Sequence, residues 1–305
     1  MSNGEFNFDA LLPADMAAKA EAIGVKKASA NWLGLSVLGI LAGAFIGLGA
    51  MFSTTVSAGT ADLAPYGITR LLAGLVFSLG LILVVIGGAE LFTGNNLIVM
   101  AWANHKVSTT QLLRNWILVY LGNFVGAVCT ALMVFLSAQY TFGKGAVGLV
   151  ALSTANSKTG LEFFQAIMLG VLCNVLVCLA VWMSFSARSA TDKVMVIIPP
   201  IAAFVAAGFE HSIANMYFIP MGLFIKYLAP TTFWTTIAKT PADYPNITID
   251  RFLMNNLLPV TIGNVIGGAV LVGAVYWFVY LRRHETPAEV GAPGAPKTPA
   301  ARPAR

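Results

Sequence analysis

Charged side chains are scarce in this sequence. Asp, Glu, Lys and Arg make up 10% of its 305 residues, while apolar residues make up 57%. A soluble domain carries roughly 25% charged residues, because its surface faces water. This composition excludes a soluble enzyme, a nucleic-acid-binding protein and a disordered chain. It indicates an integral membrane protein whose surroundings are the lipid bilayer.

Cysteine and histidine are also scarce, with three residues of each. Cys129, Cys173 and Cys178 all lie in apolar runs and lack the spacing of metal ligands. The zinc-hydrolase pattern His-Glu-x-x-His is absent, which argues against an intramembrane hydrolase, so we expect no enzyme and no metal or cofactor. The net charge of +5 is scattered over loops and termini, and we expect no nucleic-acid partner.

Long charge-poor runs occupy most of the chain. A helix needs about 20 apolar residues to cross a hydrocarbon core of about 30 Å. Runs interrupted by at most one charge predict spans near residues 30–52, 68–102, 111–138, 161–186, 194–225 and 256–281. The predicted fold is an all-α integral membrane protein with six transmembrane helices.

The second and fifth spans are too long for one straight helix. Each carries helix-breaking residues and one charge near its middle. These residues are Gly87, Gly88 and Glu90 in the second span, and Pro199, Pro200, Gly208 and Glu210 in the fifth. Non-helical backbone survives at membrane depth only where it is buried in protein or lines a cavity. We therefore predict that helices 2 and 5 are broken.

Lysine and arginine predict the orientation of the chain. With the N-terminus inside, twelve basic residues fall on the cytoplasmic side and six on the other, which favours cytoplasmic N- and C-termini. We expect a cytoplasmic amphipathic segment at 1–28, a six-helix transmembrane domain at 29–284 and a disordered Pro/Ala-rich cytoplasmic tail at 285–305.

The two halves of the chain contain matching motifs. Residues 88–95 (GAELFTGN) and 208–215 (GFEHSIAN) share glycine, glutamate and asparagine at the same spacing. Residues 122–126 (GNFVG) and 263–267 (GNVIG) match as well. Each half holds three spans, so the second half would insert inverted relative to the first. Inverted repeats with broken helices are a known design for passing small solutes.

Three ionisable side chains, cysteine and tyrosine aside, are expected near the bilayer centre: Glu90, Glu210 and His211. Such groups are costly in a membrane and indicate function. Because the glutamates recur in both halves, we expect a structural role, with each carboxylate accepting hydrogen bonds from N–H groups freed at a helix break. His211, which has Leu91 at the matching position, is the candidate working group, since histidine titrates near neutrality.

Further candidates lie close to these groups in sequence. Thr93 offers a hydroxyl from the first half, two residues after Leu91. Phe77 and Leu81 lie on one helix face of the second span, and Phe204 precedes the break of the fifth. These apolar residues either pack in the core or form hydrophobic constrictions on both sides of a polar site.

Three segments are similar to the signatures of the formate/nitrite transporter family. They are residues 85–94 (VIGGAELFTG), 170–180 (GVLCNVLVCLA) and 208–216 (GFEHSIANM). The likeness covers about residues 5–285, and residues 8–16 (FDALLPADM) resemble the formate-channel branch rather than the nitrite branch.

This resemblance implies an aquaporin-like fold and a homopentamer with one pore per protomer in the bacterial inner membrane. It also implies bidirectional passage of formate and related small monovalent anions such as nitrite, acetate or lactate. The resemblance implies that Thr93 and His211 bind the substrate and that Glu210 and Asn215 orient the histidine. It implies that Asn174 and Val177 line the pore and that Lys158 lies in the periplasmic approach to it. Leu81 and Phe204 would form constrictions, with Phe77 beside them.

Two routes for an anion remain open at this stage. The pore either stabilises the anion directly, or His211 lends a proton and the neutral acid crosses the constrictions. A nitrite-preferring channel of the same family and an aquaporin-like pore for small neutral solutes are the alternatives, although the Asn-Pro-Ala pair of aquaporins is absent. Residues 15–27 are predicted to form an amphipathic helix that either gates the pore with pH or only anchors the chain at the interface.

Overall fold

The computed structural model describes residues 10–60 and 63–282, which form helices and connecting loops with no β-strand among them. The helices are α1 Pro13–Ala28, α2 Trp32–Ser57, α3 Tyr66–Gly87, α4 Phe92–Asn95, α5 Val99–Ala103, α6 Thr109–Leu136, α7 Ala146–Thr159, α8 Phe163–Ser186, α9 Ala190–Ala207, α10 Ser212–Leu228, α11 Thr231–Thr236 and α12 Arg251–Leu281. The predicted tail, 285–305, and the first nine residues of the predicted leader lie outside the described residues.

Six of the described helices are long and apolar enough to cross a membrane, namely α2, α3, α6, α8, α9 and α12. The prediction of an all-α chain with six apolar helices is confirmed. The bounds differ most in the second and fifth predicted spans, where the first helix ends early, at Gly87 and Ala207. A short extended segment follows in each case, and a further helix begins at Phe92 and Ser212.

Both interruptions begin at a glycine with left-handed backbone. Gly88 has a φ of 78° and Gly208 a φ of 77°, a conformation that ends a helix and that only glycine adopts without steric cost. Pro199 and Pro200 were expected to contribute to the second break, and this was wrong, since both lie inside α9. The proline ring fixes a helical φ, so these residues remove main-chain donors without ending the helix.

Close packing joins α2 to α6 and α8 to α12 through glycine. A Cβ added at Gly126 would overlap the Ile40 carbonyl oxygen, and one added at Gly267 would overlap the Val171 carbonyl oxygen. These glycines belong to the two matching Gly-Asn-x-x-Gly motifs. The backbones of the paired helices therefore touch, which brings the asparagine of each motif against the interrupted segment of its half.

The helix α1 is packed on protein. Its buried face includes Met16, Ala17 and Ala20, and a Cβ added at Gly24 would lie 3.2 Å from the Cβ of Ala101 in α5. The residues predicted to form an amphipathic helix are thus helical, and they cover the segment that follows the first interruption.

Candidate functional site

An asparagine side chain holds the first interruption in place. The main-chain N–H of Phe92, freed by the end of α3, donates to Asn123 Oδ1 at 2.9 Å. The amide of Asn123 in turn donates to the carbonyl oxygens of Gly39 at 2.8 Å and Glu90 at 2.9 Å. Polar backbone at this depth is therefore satisfied by protein, as burial in an apolar setting requires.

The second interruption has the same construction. The N–H of Ser212 donates to Asn264 Oδ1 at 2.9 Å, and the Asn264 amide donates to the carbonyl oxygens of Gly170 at 2.8 Å and Glu210 at 3.0 Å. The sequence shows the Gly-Asn-x-x-Gly motifs only as a match between the two halves. The structure adds that their asparagines supply the acceptors for the freed N–H groups.

Glu90 binds side chains at the first interruption. Lys27 Nζ lies 3.0 Å from Glu90 Oε2, and the Asn95 amide donates to the same oxygen at 2.7 Å. The Asn95 amide also donates to Asn115 Oδ1 at 2.9 Å, and the Asn115 amide donates to the Lys27 carbonyl at 3.0 Å. The carboxylate thus links α1 to the segment beyond α3.

Glu210 binds the matching set in the second half. Lys158 Nζ lies 2.7 Å from Glu210 Oε1, and the Asn215 amide donates to Glu210 Oε2 at 2.7 Å. Asn215 also donates to Asn256 Oδ1 at 2.7 Å, and Asn256 donates to the Lys158 carbonyl at 2.9 Å. The expectation that both glutamates accept freed main-chain N–H groups was wrong, because Asn123 and Asn264 accept them and leave the carboxylates for a lysine.

The two lysines were missed as a pair. Lys27 stands twelve residues before Gly39, and Lys158 stands twelve residues before Gly170, so a signal was present in the sequence. It was overlooked because α1 and α7, aligned on these lysines, share only one other residue, Ala20 with Ala151. Lys158 was expected in the approach to the pore, and the structure places it against Glu210.

Two cavities lie near the interruptions. The first, of about 290 Å³, is lined by residues that include Lys19, Lys27, Leu81, Glu90 and Lys193, and we name it the α1-side cavity. The second, of about 540 Å³, is named the α7-side cavity. Its lining includes Arg70, Phe77, Lys158, Phe204, Glu210 and His211.

Thr93 and His211 are in contact beside the α7-side cavity. His211 lines this cavity, whereas Thr93 lines neither cavity and lies in sequence between Leu91 and Gly94, which line the α1-side cavity. Thr93 Oγ1 lies 3.0 Å from His211 Nε2, and the two residues are 0% and 2% exposed. The main-chain N–H of Ala214 donates to His211 Nδ1 at 3.0 Å. Since Nδ1 is an acceptor, the neutral imidazole carries its proton on Nε2 and donates it to Thr93. The histidine thus offers one N–H, directed at the first half of the chain.

Aromatic rings close the α7-side cavity beside the histidine. Phe77 and Phe204 are in edge-to-face contact with ring centroids 5.6 Å apart, and the Phe204 ring stacks on the imidazole of His211 at 5.9 Å. Leu81, one helical turn after Phe77, lines the α1-side cavity. The structure therefore places Phe77 and Phe204 beside the histidine, and Leu81 in the lining of the other cavity.

The predicted pore-lining residues line neither cavity, although one of them contacts the polar pair. These residues are Asn174 and Val177, and the Asn174 amide donates to the carbonyl oxygens of Asn264 at 2.7 Å and of Thr93 at 3.3 Å. Glu210 and Asn215 were expected to orient the imidazole, but neither makes a hydrogen bond to it among the described residues. The ring is instead held by the N–H of Ala214, because His211 directly precedes α10 and its side chain caps the N-terminus of that helix.

Arg70 is a site residue that sequence reasoning missed. It was counted only as a basic residue outside the membrane, yet its guanidinium donates to the carbonyl oxygens of Val205 and, at 3.4 Å, Ala206. These carbonyls belong to the last turn of α9. A contact between residues so far apart in sequence leaves no local pattern that could have revealed it.

Known proteins resemble this chain along most of its length. A family model described as formate/nitrite transporter matches residues 14–278. The formate channel FocA of Escherichia coli (strain K12) is 48% identical over 278 residues, which cover 91% of this chain and 97% of that protein. The formate channel FocA of Haemophilus influenzae is 44% identical over 271 residues, covering 89% and 95%.

A solved structure described as a pentameric formate channel with formate bound has 49% sequence identity to this chain. The two structures superpose with a TM-score of 0.78. The superposition covers 82% of this chain and 98% of the other. Together with the family match and the relatives, this shows that the chain belongs to the formate/nitrite transporter family.

Proposed function

We propose that this protein passes formate across the bacterial inner membrane in both directions, through one pore in each protomer. The observation that carries the proposal is the contact of Thr93 with His211, a buried polar pair beside the α7-side cavity, whose lining also includes apolar side chains. Relatives named formate channels support the choice of substrate. The pore would run from the α1-side cavity past this pair to the α7-side cavity.

The architecture proposed for this pore is a pair of inverted three-helix repeats with broken helices, assembled as a pentamer. Matching hydrogen bonds support the repeat, since Asn123 and Asn264 hold the two interruptions in the same way. The relative solved as a pentameric formate channel supports the assembly. The charge distribution supports cytoplasmic termini, which would make the α1-side cavity the cytoplasmic one.

The chemical problem is the charge of the substrate. Moving an isolated carboxylate from water into a low-dielectric interior costs an idealised energy of order 20 kcal/mol, and several kcal/mol remain after relaxation. An acid with an aspartate-like pKa of about 3.9 is protonated to only about one part in a thousand at neutral pH. A pore must therefore supply hydrogen-bond donors or a proton at the narrow point.

The hydrogen bonds of His211 support direct stabilisation of the anion. Its Nε2–H is a donor that the substrate would take over from Thr93, while the threonine hydroxyl offers a second donor. To lend a proton, the imidazole would first have to be protonated on both nitrogens. The Ala214 N–H occupies Nδ1, so this route requires that hydrogen bond to open.

Passage of nitrite, acetate or lactate belongs to the same proposal, because each is a small monovalent anion that one or two donors can bind. A nitrite-preferring pore would have the same donors. Measuring how strongly nitrite competes with formate for transport therefore distinguishes the two preferences. For a pore that carries only small neutral solutes, the polar pair would have no anion to bind, and formate flux would be absent.

Gating by α1 is a further part of the proposal. Lys27 at its end binds Glu90 and Asn95 beside the α1-side cavity, and withdrawal of α1 would remove these contacts. Deleting residues 1–27 should then change formate flux at about pH 5 relative to neutral pH. Unchanged flux at both pH values would show that α1 does not gate the pore and only anchors the chain at the interface.

The test of the main proposal is formate flux into proteoliposomes at about pH 7.5 and about pH 5.5, with internal pH recorded. Wild type is compared with His211→Phe and with empty vesicles. We expect saturable wild-type flux that falls at least about tenfold in the variant, without proton movement. Proton movement in step with formate would instead favour the proton-lending route. Wild-type flux equal to that of empty vesicles would reject formate as the substrate.

A further inference from the structure

The cations of the α7-side cavity differ in how their charges are compensated. Lys158 Nζ lies 2.7 Å from Glu210 Oε1, so one carboxylate balances this ammonium. The cavity lining contains a second cation, Arg70, and no second carboxylate among the described residues. The positive charge left over in this cavity therefore belongs to Arg70.

We propose that Arg70 binds the anionic substrate in the α7-side cavity before it reaches the Phe77–Phe204 contact. This inference rests on the proposed function and names a substrate site for the same pore. The ligand class is a small monovalent carboxylate or oxyanion, whose paired oxygens suit the parallel N–H groups of a guanidinium.

Hydrogen bonds fix the guanidinium while leaving donors free. Nε donates to the Ala206 carbonyl at 3.4 Å, and Nη2 donates to the Val205 carbonyl. A guanidinium has five N–H groups, so three remain, counted within the part of the chain that the structure describes. An arginine already held in one geometry loses little side-chain entropy when a ligand binds.

The carbonyls that hold Arg70 do not cancel its charge. They end α9, and a helix C-terminus carries a partial charge equivalent to roughly half an electron. A full carboxylate faces Lys158, whereas Arg70 faces only this partial charge. An anion entering the cavity is therefore attracted more strongly to Arg70 than to the lysine.

Arg70 is also linked to the polar pair through the end of α9. Val205, whose carbonyl binds the guanidinium, directly follows Phe204, and the Phe204 ring stacks on His211. Hydroxyl-bearing residues of the same cavity, among them Ser57, Thr60 and Thr69, surround the approach. An anion bound at Arg70 would therefore lie in the cavity whose lining includes Phe77 and Phe204.

The test compares wild type, Arg70→Gln, Arg70→Lys and the control Lys239→Gln, which removes an exposed cation outside the cavity. Initial rates of formate influx give KM and the maximal rate at low and high ionic strength. We expect Arg70→Gln to raise KM about tenfold at low salt with a maximal rate close to that of wild type. Arg70→Lys should recover most of this loss, and the difference should shrink at high salt.

A purely structural Arg70 would give a different pattern. Glutamine and lysine would then lower the maximal rate alike, and the salt dependence of KM would match wild type, which would overturn the proposal while leaving formate transport intact. Binding is also read without transport, from the rate at which phenylglyoxal modifies Arg70 in wild-type protein. Formate should slow this modification relative to the bulky anion gluconate at equal ionic strength. Equal rates would overturn the proposal whatever the flux assay shows.

Discussion

Lys158 Nζ and Glu210 Oε1 lie 2.7 Å apart, with side chains that are 16% and 5% exposed. The matching pair in the first half, Lys27 and Glu90, is more open, at 28% and 12%. Two pairs of the same chemistry thus stand at equivalent points of the fold in different dielectric surroundings. The effect of burial on the stability of a lysine–glutamate pair can therefore be compared within one molecule.

Glu210→Gln should destabilise the protein far more than Glu90→Gln. Removing one partner of a buried pair leaves an uncompensated charge, which costs about 3–5 kcal/mol. The more exposed Lys27 can turn toward water, so the loss there should be about 1 kcal/mol. Thermal unfolding of the purified protein in detergent measures both variants. Equal losses would show that burial does not separate the two pairs.

Replacing a glycine at the helix contacts should disrupt packing. A Cβ at Gly126 meets the Ile40 carbonyl oxygen, and neither backbone can move away without opening the α2–α6 contact. Gly126→Ala should therefore cost about 3 kcal/mol of stability, seen as a lower unfolding temperature.

Gly67→Ala is the matched control for this variant. Nothing lies within 4 Å of a Cβ at Gly67, so its stability should stay within about 1 kcal/mol of wild type. A Gly126→Ala protein as stable as the control would contradict the tight packing of α2 on α6.

Local patterns in the sequence predicted a large part of this fold. Charge-poor runs gave the six apolar helices, and the left-handed glycines Gly88 and Gly208 stand where breaks were expected. The partners of Glu90 and Glu210 were assigned wrongly, because a freed N–H donates to any suitably placed oxygen and the sequence does not say which oxygen is nearest. Arg70 was missed for a similar reason, since its partners lie on another helix.

The reactivity of Lys19 should report the charges of the α1-side cavity. Partial burial, with Lys193 and Arg188 nearby, lowers the pKa of Lys19 from its usual value. A lower pKa leaves more neutral amine available for acylation. Lys193→Gln removes one nearby cation, raises the pKa of Lys19 and should slow its acetylation about twofold at mildly alkaline pH.

The measurement for Lys19 is the initial rate of acetylation, followed by mass spectrometry of the peptide that contains it. Lys239→Gln serves as the control, because this exposed lysine lies outside the α1-side cavity and should leave the rate unchanged. Equal rates in wild type and Lys193→Gln would mean that Lys193 does not act on Lys19.

Two substitutions of Thr93 test the polar pair directly. Serine removes the methyl group and keeps the hydroxyl, whereas valine replaces the hydroxyl with a methyl group. Thr93→Ser keeps the acceptor for His211 Nε2–H, and formate flux should stay within about threefold of wild type. Thr93→Val has nearly the same shape but leaves the buried imidazole N–H without a partner, at a cost of about 1–3 kcal/mol. It also removes one donor from the anion, so flux should fall about tenfold or more. If valine supported the same flux as serine, the hydroxyl would have no part in transport and the histidine would act alone.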